Sequence, residues 1–160
     1  MTVIRKIDMP EDCEACLEIY NYYIKNSTAT FEEEPLSLEV FSQRIEKITR
    51  KYPFFVAEND GKIIGYAYLA EFNNYRFTAD LSVYLSHSEI SRGVGGMLLA
   101  AVENAGKEIG IKHIISIITA ENEKSLRFHE KHGFVKRGEL VDVGYKFGKT
   151  LSVYYYQKTL

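Results

Sequence analysis

The chain has 160 residues, 46% of them hydrophobic and 26% charged, with a formal net charge of −2 at pH 7. That length fits one domain over residues 1–160, and no apolar run approaches the roughly 20 residues of a membrane span. The near-neutral balance argues against a nucleic-acid surface, which needs clustered Lys and Arg, and the opening Met1-Thr2-Val3-Ile4-Arg5-Lys6 lacks the apolar block of a secretory leader, so a cytoplasmic protein is expected.

Thr2–Asp8 reads as a strand. Pro10 opens a helix to about Lys25, with Glu11 and Asp12 in the first turn, where the helix dipole favours acids. Cys13 and Cys16 have C-x-x-C spacing, but they share one helical stripe with positions 17, 20, 23 and 24, and no second Cys/His pair completes a zinc site. Core packing is the reading for both, and no metal is expected.

Asn26–Pro35 is a loop, followed by a helix from Ser37 to Arg50 whose buried side carries Phe41, Ile45 and Ile48. Phe54–Glu58 and Ile63–Ala70 are strands joined at Asn59-Asp60-Gly61-Lys62, where Asp-Gly supplies the backbone a tight hairpin needs. The loop 71–78 leads into a strand, Ala79–Leu85. A Gly-rich turn, Ser91–Gly96, then opens a helix reaching Ile109. Lys112–Thr119 is a β-branched, nearly continuous apolar run, as in a buried strand. Asn122 begins a short helix ending at Gly133, and strands near Phe134–Val141 and Leu151–Gln157 close the chain. The class is α/β with a mixed sheet.

The stretch from Val83 to Leu98 carries the most chemistry. A strand runs into a loop containing Gly93, Gly95 and Gly96, then into an amphipathic helix. Helix N-termini present unpaired N–H groups and partial positive charge, and glycines let a bulky anion approach the backbone. Arg92 adds a cation. The alternative is a helix start that needs glycine only to turn. The stretch is neither a P-loop, which ends in Gly-Lys-Ser/Thr, nor a dinucleotide G-x-G-x-x-G.

This stretch resembles motif A of the GNAT acetyltransferases, with Gly93 and Gly95 at its key positions and Val83-Tyr84-Leu85 as its strand. Asn122 to Phe134, with Ser125, His129 and Gly133-Phe134, looks like the family's motif B. Four further segments narrow the resemblance to the phosphinothricin and methionine sulfone/sulfoximine branch: 26–35, 52–58, Tyr75-Arg76-Phe77-Thr78-Ala79-Asp80, and the apparent C-terminal loop Gly144-Tyr145-Lys146-Phe147-Gly148. The sequence departs from the branch at Ile90, Ser91, Asp80 (usually Glu), Thr150 and Ser152.

The resemblance implies a seven-stranded, mostly antiparallel sheet with helices on both faces and a splayed, V-shaped cleft. It implies acetyl transfer from acetyl-CoA to the primary amine of a small amino-acid-like molecule, by direct attack in a ternary complex. Acetyl-CoA would lie along Val83, Tyr84 and Leu85, where the strand is expected to bulge, with its diphosphate at Ser91, Arg92, Gly93, Val94, Gly95 and Gly96, and with Asn122 and Ser125 on the opposite wall. The Leu85 N–H would stabilise the developing oxyanion.

Asp80 would take the amine proton, through a water because its side chain is short; read alone, it is a surface or turn carboxylate. His129 would donate a proton or orient the substrate, or simply pack. Phe31, Tyr75, Arg76 and Lys146 would meet the acceptor, Arg76 or Lys146 pairing with a carboxylate; read alone, both are solvated cations. Asn122 is equally a helix cap. Tyr154-Tyr155-Tyr156 would form a homodimer contact or fill the core. Acetylation of protein or peptide amines and a non-catalytic CoA-binding sensor are the competing functions.

Overall fold

The computed structural model describes residues 1–89 and 93–160. Seven strands form one sheet in the order β1-β2-β3-β4-β5-β7-β6: β1 (Thr2–Lys6), β2 (Phe54–Asn59), β3 (Lys62–Glu71), β4 (Thr78–Leu85), β5 (His113–Thr119), β6 (Val135–Lys146) and β7 (Lys149–Thr159). Helices α1 (Cys13–Asn26) and α2 (Leu38–Thr49) cover one face, and α3 (Val94–Glu108) and α4 (Glu123–Lys131) the other. Every pairing is antiparallel except β4 with β5.

Two cores follow from the strand alternation. Val56, Tyr66 and Phe54 meet Cys16, Tyr20, Ile24, Phe41 and Ile45 beneath α1 and α2. Leu69, Leu81, Ile114, Ile118 and Tyr156 meet Leu98, Leu99 and Val102 beneath α3 and α4. Cys13 and Cys16 are fully buried free thiols, and burial pushes both up in pKa. They pack as small apolar groups, so Cys16→Ser, which buries a hydroxyl in a site shaped for sulfur, should cost about 1–3 kcal/mol, read as a lower denaturant midpoint at unchanged slope.

Helix α1 begins at Cys13, later than the sequence suggests. The Asp12 carboxylate accepts from the Arg5 guanidinium at 2.6 and 2.9 Å and from the Asp8 amide at 2.7 Å, which holds residues 9–12 in turns against β1. The same Arg5 contact holds the Asp12 carboxyl below its ordinary pKa. Asp60-Gly61 makes the expected β2–β3 turn, with φ of 49° and 78°.

The segment 144–148 is not a loop. β6 and β7 run on past a bulge between Leu140 and Gly144 to a two-residue turn at Phe147-Gly148, with φ of 53° and 74°. Both residues in the left-handed region suit the twist of a tight hairpin. Tyr156 lies in the core with its hydroxyl on Glu130, and the Lys136 ammonium lies 3.4 Å from the Tyr154 ring centroid.

The sheet parts in its middle. β4 and β5 pair only at Thr78↔His113, Ala79↔Ile114 and Asp80↔Ile115. Beyond that, β4 follows β3 to Leu85 and β5 follows β7 to Thr119. The expected bulge in β4 is absent, since its register with β3 is unbroken from Ala79 to Leu85. The strands separate because each stays with its own antiparallel partner while the sheet twists.

Candidate active site

The gap between β4 and β5 is edged by β4 backbone. The Ser86 N–H donates to the Ile64 carbonyl at 2.8 Å, and bonding directions alternate along an antiparallel pair. The Leu85 and Val83 amide groups therefore face away from β3, into the gap. The Leu85 carbonyl fits this orientation: it accepts from the Tyr23 hydroxyl of α1 at 2.6 Å. Tyr23 is a contact the sequence reading missed. A tyrosine on an apolar helical stripe needs a partner for its hydroxyl, and that was the available signal. Tyr22 stacks on His87 at 3.8 Å, so α1 holds β4 and the residues just after it.

Helix α3 begins at the mouth of this gap. Gly93 precedes it at φ 81°, which favours glycine, and a Cβ there would meet nothing within 4 Å. A Cβ on Gly95 would lie 3.0 Å from the Phe128 ring, so that glycine also serves close packing of α3 on α4. The Val94, Gly95 and Gly96 amides precede the first helical bond described, from Met97 to Gly93 at 3.0 Å. α2 and α4 each have a capping side chain and a first-turn acid, whereas α3 has neither. Its N-terminal partial charge is uncompensated by its own residues. Ser91 and Arg92, with Ile90, lie outside the described residues.

Asp80 occupies the vertex where β4 and β5 part. It is half-buried, on the α1–α2 side of the sheet with Ser82 and Tyr84. Burial raises its carboxyl to about 6, partly offset by the Leu81 amide. Burial also raises the Tyr68 and Tyr84 hydroxyls, and the charge of Asp80 adds to both shifts. A carboxylate so tuned is ionised at pH 7 yet basic enough to accept a proton.

Across the gap, Asn122 caps α4: its side-chain oxygen accepts from the Ser125 amide at 3.2 Å. This engages the oxygen, not the side-chain NH2. His129 is 6% exposed, edge-on to Phe134, with Nδ1 donating to the Ser125 carbonyl at 2.7 Å. The acceptor identifies the tautomer, with the proton on Nδ1. Burial lowers its pKa, so His129 is neutral at pH 7 and bears its free lone pair on Nε2.

The four expected acceptor contacts separate. Phe31 is 39% exposed and lies over Gly144, where a Cβ would come within 2.2 Å of the ring. Tyr75 is 61% exposed, and the exposed Arg76 lies 5.1 Å from the Phe77 ring centroid. Lys146 corrects both sequence readings, since it is neither solvated nor free for a substrate carboxylate. It is 1% exposed, and Nζ donates to the Ser27 and Thr30 carbonyls, each at 2.7 Å.

A second cluster was not foreseen. Glu32 accepts from Arg44 at 3.0 and 2.7 Å and from the Tyr20 hydroxyl, which pins the 27–36 segment to α1 and α2. Arg44 is the main cause of the lowered Glu32 pKa. A cleft of about 320 Å³ opens beside this segment, lined by Asn26, Ser27, Thr28, Glu121, Asn122 and Phe147. Among the described residues no three His, Cys, Asp or Glu side chains gather as a metal site, and no helix is long and apolar enough to cross a membrane.

With this geometry, the chain belongs to the acetyltransferase (GNAT) domain family, whose model matches residues 4–152. It is 33% identical over 150 residues to a phosphinothricin N-acetyltransferase of Streptomyces viridochromogenes, covering 92% of this chain and 82% of that protein. It is 28% identical over 153 residues to an L-methionine sulfoximine/L-methionine sulfone acetyltransferase of Salmonella typhimurium, covering 93% and 90%. The crystal structure of a GNAT superfamily phosphinothricin acetyltransferase from Sinorhizobium meliloti in complex with AcCoA matches with a TM-score of 0.94 at 32% identity, covering 99% of this chain and 88% of that one.

Proposed function

We propose that this enzyme transfers acetyl from acetyl-CoA to the primary amine of a small amino-acid-like molecule, of the kind represented by phosphinothricin and methionine sulfone or sulfoximine, by direct attack in a ternary complex. The observation that carries this reading is the end of β4–β5 pairing at Asp80, which leaves outward-facing β4 amides beside the uncompensated start of α3.

The residues fit a long thioester that ends in a diphosphate. The α3 amides at Val94, Gly95 and Gly96 suit the diphosphate, together with Ser91 and Arg92. The β4 edge at Val83, Tyr84 and Leu85 suits an extended amide chain, which it would bind as an added strand. Asn122 and Ser125 form the other wall. Acetyl-CoA supplies the activated acetyl group.

Asp80 accepts the proton of the acceptor ammonium, through one water, and frees the amine lone pair for attack. The Leu85 N–H donates to the acetyl oxygen as that oxygen gains charge. Neutral His129 orients groups in the cleft. The departing thiolate, with a thiol pKa near ~8.5, is a tolerable leaving group without an acid. Phe31, Tyr75 and Arg76 are the acceptor contacts, with Arg76 the cation for a carboxylate. The enzyme acts in the cytoplasm as a homodimer; exposed Leu140, Val141, Val143 and Tyr145 on edge strand β6 support self-association.

The test is thiol release from acetyl-CoA with phosphinothricin, methionine sulfone, methionine sulfoximine, common amino acids, polyamines and short peptides. Turnover is expected with free amino acids. Turnover with peptides alone would move the enzyme to protein acetylation, and binding of acetyl-CoA without turnover on any amine would make it a sensor.

A further inference from the structure

Lys146 is a buried ammonium that takes no part in this mechanism. A buried ammonium is expensive unless hydrogen-bonded. Here both bonds run to backbone carbonyls, Ser27 and Thr30, of a segment with no helix or strand of its own. Burial lowers the Lys146 pKa, while Glu33 and Glu32 act in the opposite direction.

The same short segment is tied at further points. Thr119 Oγ1, at the end of β5, donates to the Thr28 carbonyl at 2.9 Å. The Thr28 hydroxyl donates to Glu121 at 3.1 Å, and Glu121 accepts from Lys149 at 2.8 Å. Lys146 and Lys149 are opposite residues flanking the β6–β7 turn. Ser27 and Thr28 line the cleft beside Asn122, and Phe31 follows directly on Thr30.

We propose that Lys146 is a positioning residue for acceptor binding: its ammonium draws the Ser27 and Thr30 carbonyls onto the β6–β7 hairpin and so fixes the segment carrying Phe31 in its binding geometry before the acceptor arrives. The proposal rests on the acceptor-side reading of residues 26–35 given above. Preorganisation of this kind removes an ordering cost from binding. It acts on the acceptor side, and none of these bonds reaches β4 or α3, which carry most of the donor groove.

The experiment compares wild type, Lys146→Met, Lys146→Arg and Thr119→Val. Lys146→Met keeps the length and apolar stem but leaves two buried carbonyls unpaired, which they remedy only by lifting toward water. The expected result is a rise of about tenfold or more in acceptor KM, the size set by one lost buried charge-assisted contact, with the acetyl-CoA Kd unchanged. Amide exchange over residues 27–32 should quicken in the same variant, and Lys146→Arg should recover part of both effects.

Should Lys146→Met fail to fold, Thr119→Val, which frees the Thr28 carbonyl and leaves the Thr28 hydroxyl only its Glu121 contact, should show the same split to a lesser degree. An unchanged acceptor KM in the folded variant, or donor and acceptor constants weakening together, overturns the proposal. Wild type lacking turnover on every amine would instead overturn the proposed function, and the exchange measurement would still report on whether Lys146 orders the segment.

Discussion

Asp80→Asn should lower kcat by about 10²–10⁴-fold while acetyl-CoA still binds, the range expected when a general base is removed. Two pH effects accompany it. In the wild type, activity should fall as pH drops through about 6, where Asp80 takes up its proton. That acidic limb should vanish from the residual activity of the variant.

Stability should move the other way. The folded-state pKa lies above the ordinary value of 3.8, so between 3.8 and about 6 the folded chain holds a proton that the unfolded chain has lost. Through this group, stability therefore declines as pH rises across that window, and it stays reduced at neutral pH. Asp80→Asn should accordingly melt higher than wild type at pH 7 and show little difference at pH 3. A variant with full activity, or with an unchanged acidic limb, would remove Asp80 from the base role.

The second large effect concerns a backbone group. Leu85→Pro removes one N–H and no sheet hydrogen bond, because the Leu85 amide faces the gap and the neighbouring ladder bond belongs to Ser86. Tyr84 before it is already extended, as a residue preceding proline must be. The expected loss in kcat is about 10²–10³-fold, typical of a deleted oxyanion donor. Steady-state kinetics beside a thermal melt make the check: the melt should fall with the lost packing of the Leu85 side chain, and Leu85→Ala, which loses that packing but keeps the N–H, should melt lower too yet keep most of its kcat. A proline variant that keeps wild-type kcat would place the oxyanion contact elsewhere.

The element order and the glycine-rich turn before α3 were legible because they depend on local chemistry, whereas the motif from Asn122 to Phe134 was read through resemblance. Strand runs such as Lys112–Thr119 and the Asp60-Gly61 turn are written in neighbouring residues. What escaped the reading depends on pairing over long distances. The hairpin through Gly144–Gly148 carries Lys, Phe and two glycines, a loop-like composition, yet the cross-strand register carries both strands to the turn. Lys146 could not be read from its neighbours, because both acceptors lie more than a hundred residues earlier in the chain. Asp80 was found only through resemblance; its raised pKa comes from burial beneath α1 and α2, which no spacing reveals. Glu32 and Arg44 are ordinary charges in sequence and become a pair only when α2 packs.

The parting of β4 from β5 also leaves two antiparallel ribbons, β1-β2-β3-β4 and β5-β7-β6, joined along only three residue pairs. In the proposed reading β4 and α3 carry most of the donor groove, while the acceptor segment around Phe31 is tied to β6 through Lys146 and to β5 through Thr119. On that reading, substitutions in residues 26–35 or at the hairpin tip would alter the choice of amine before they alter the acetyl supply.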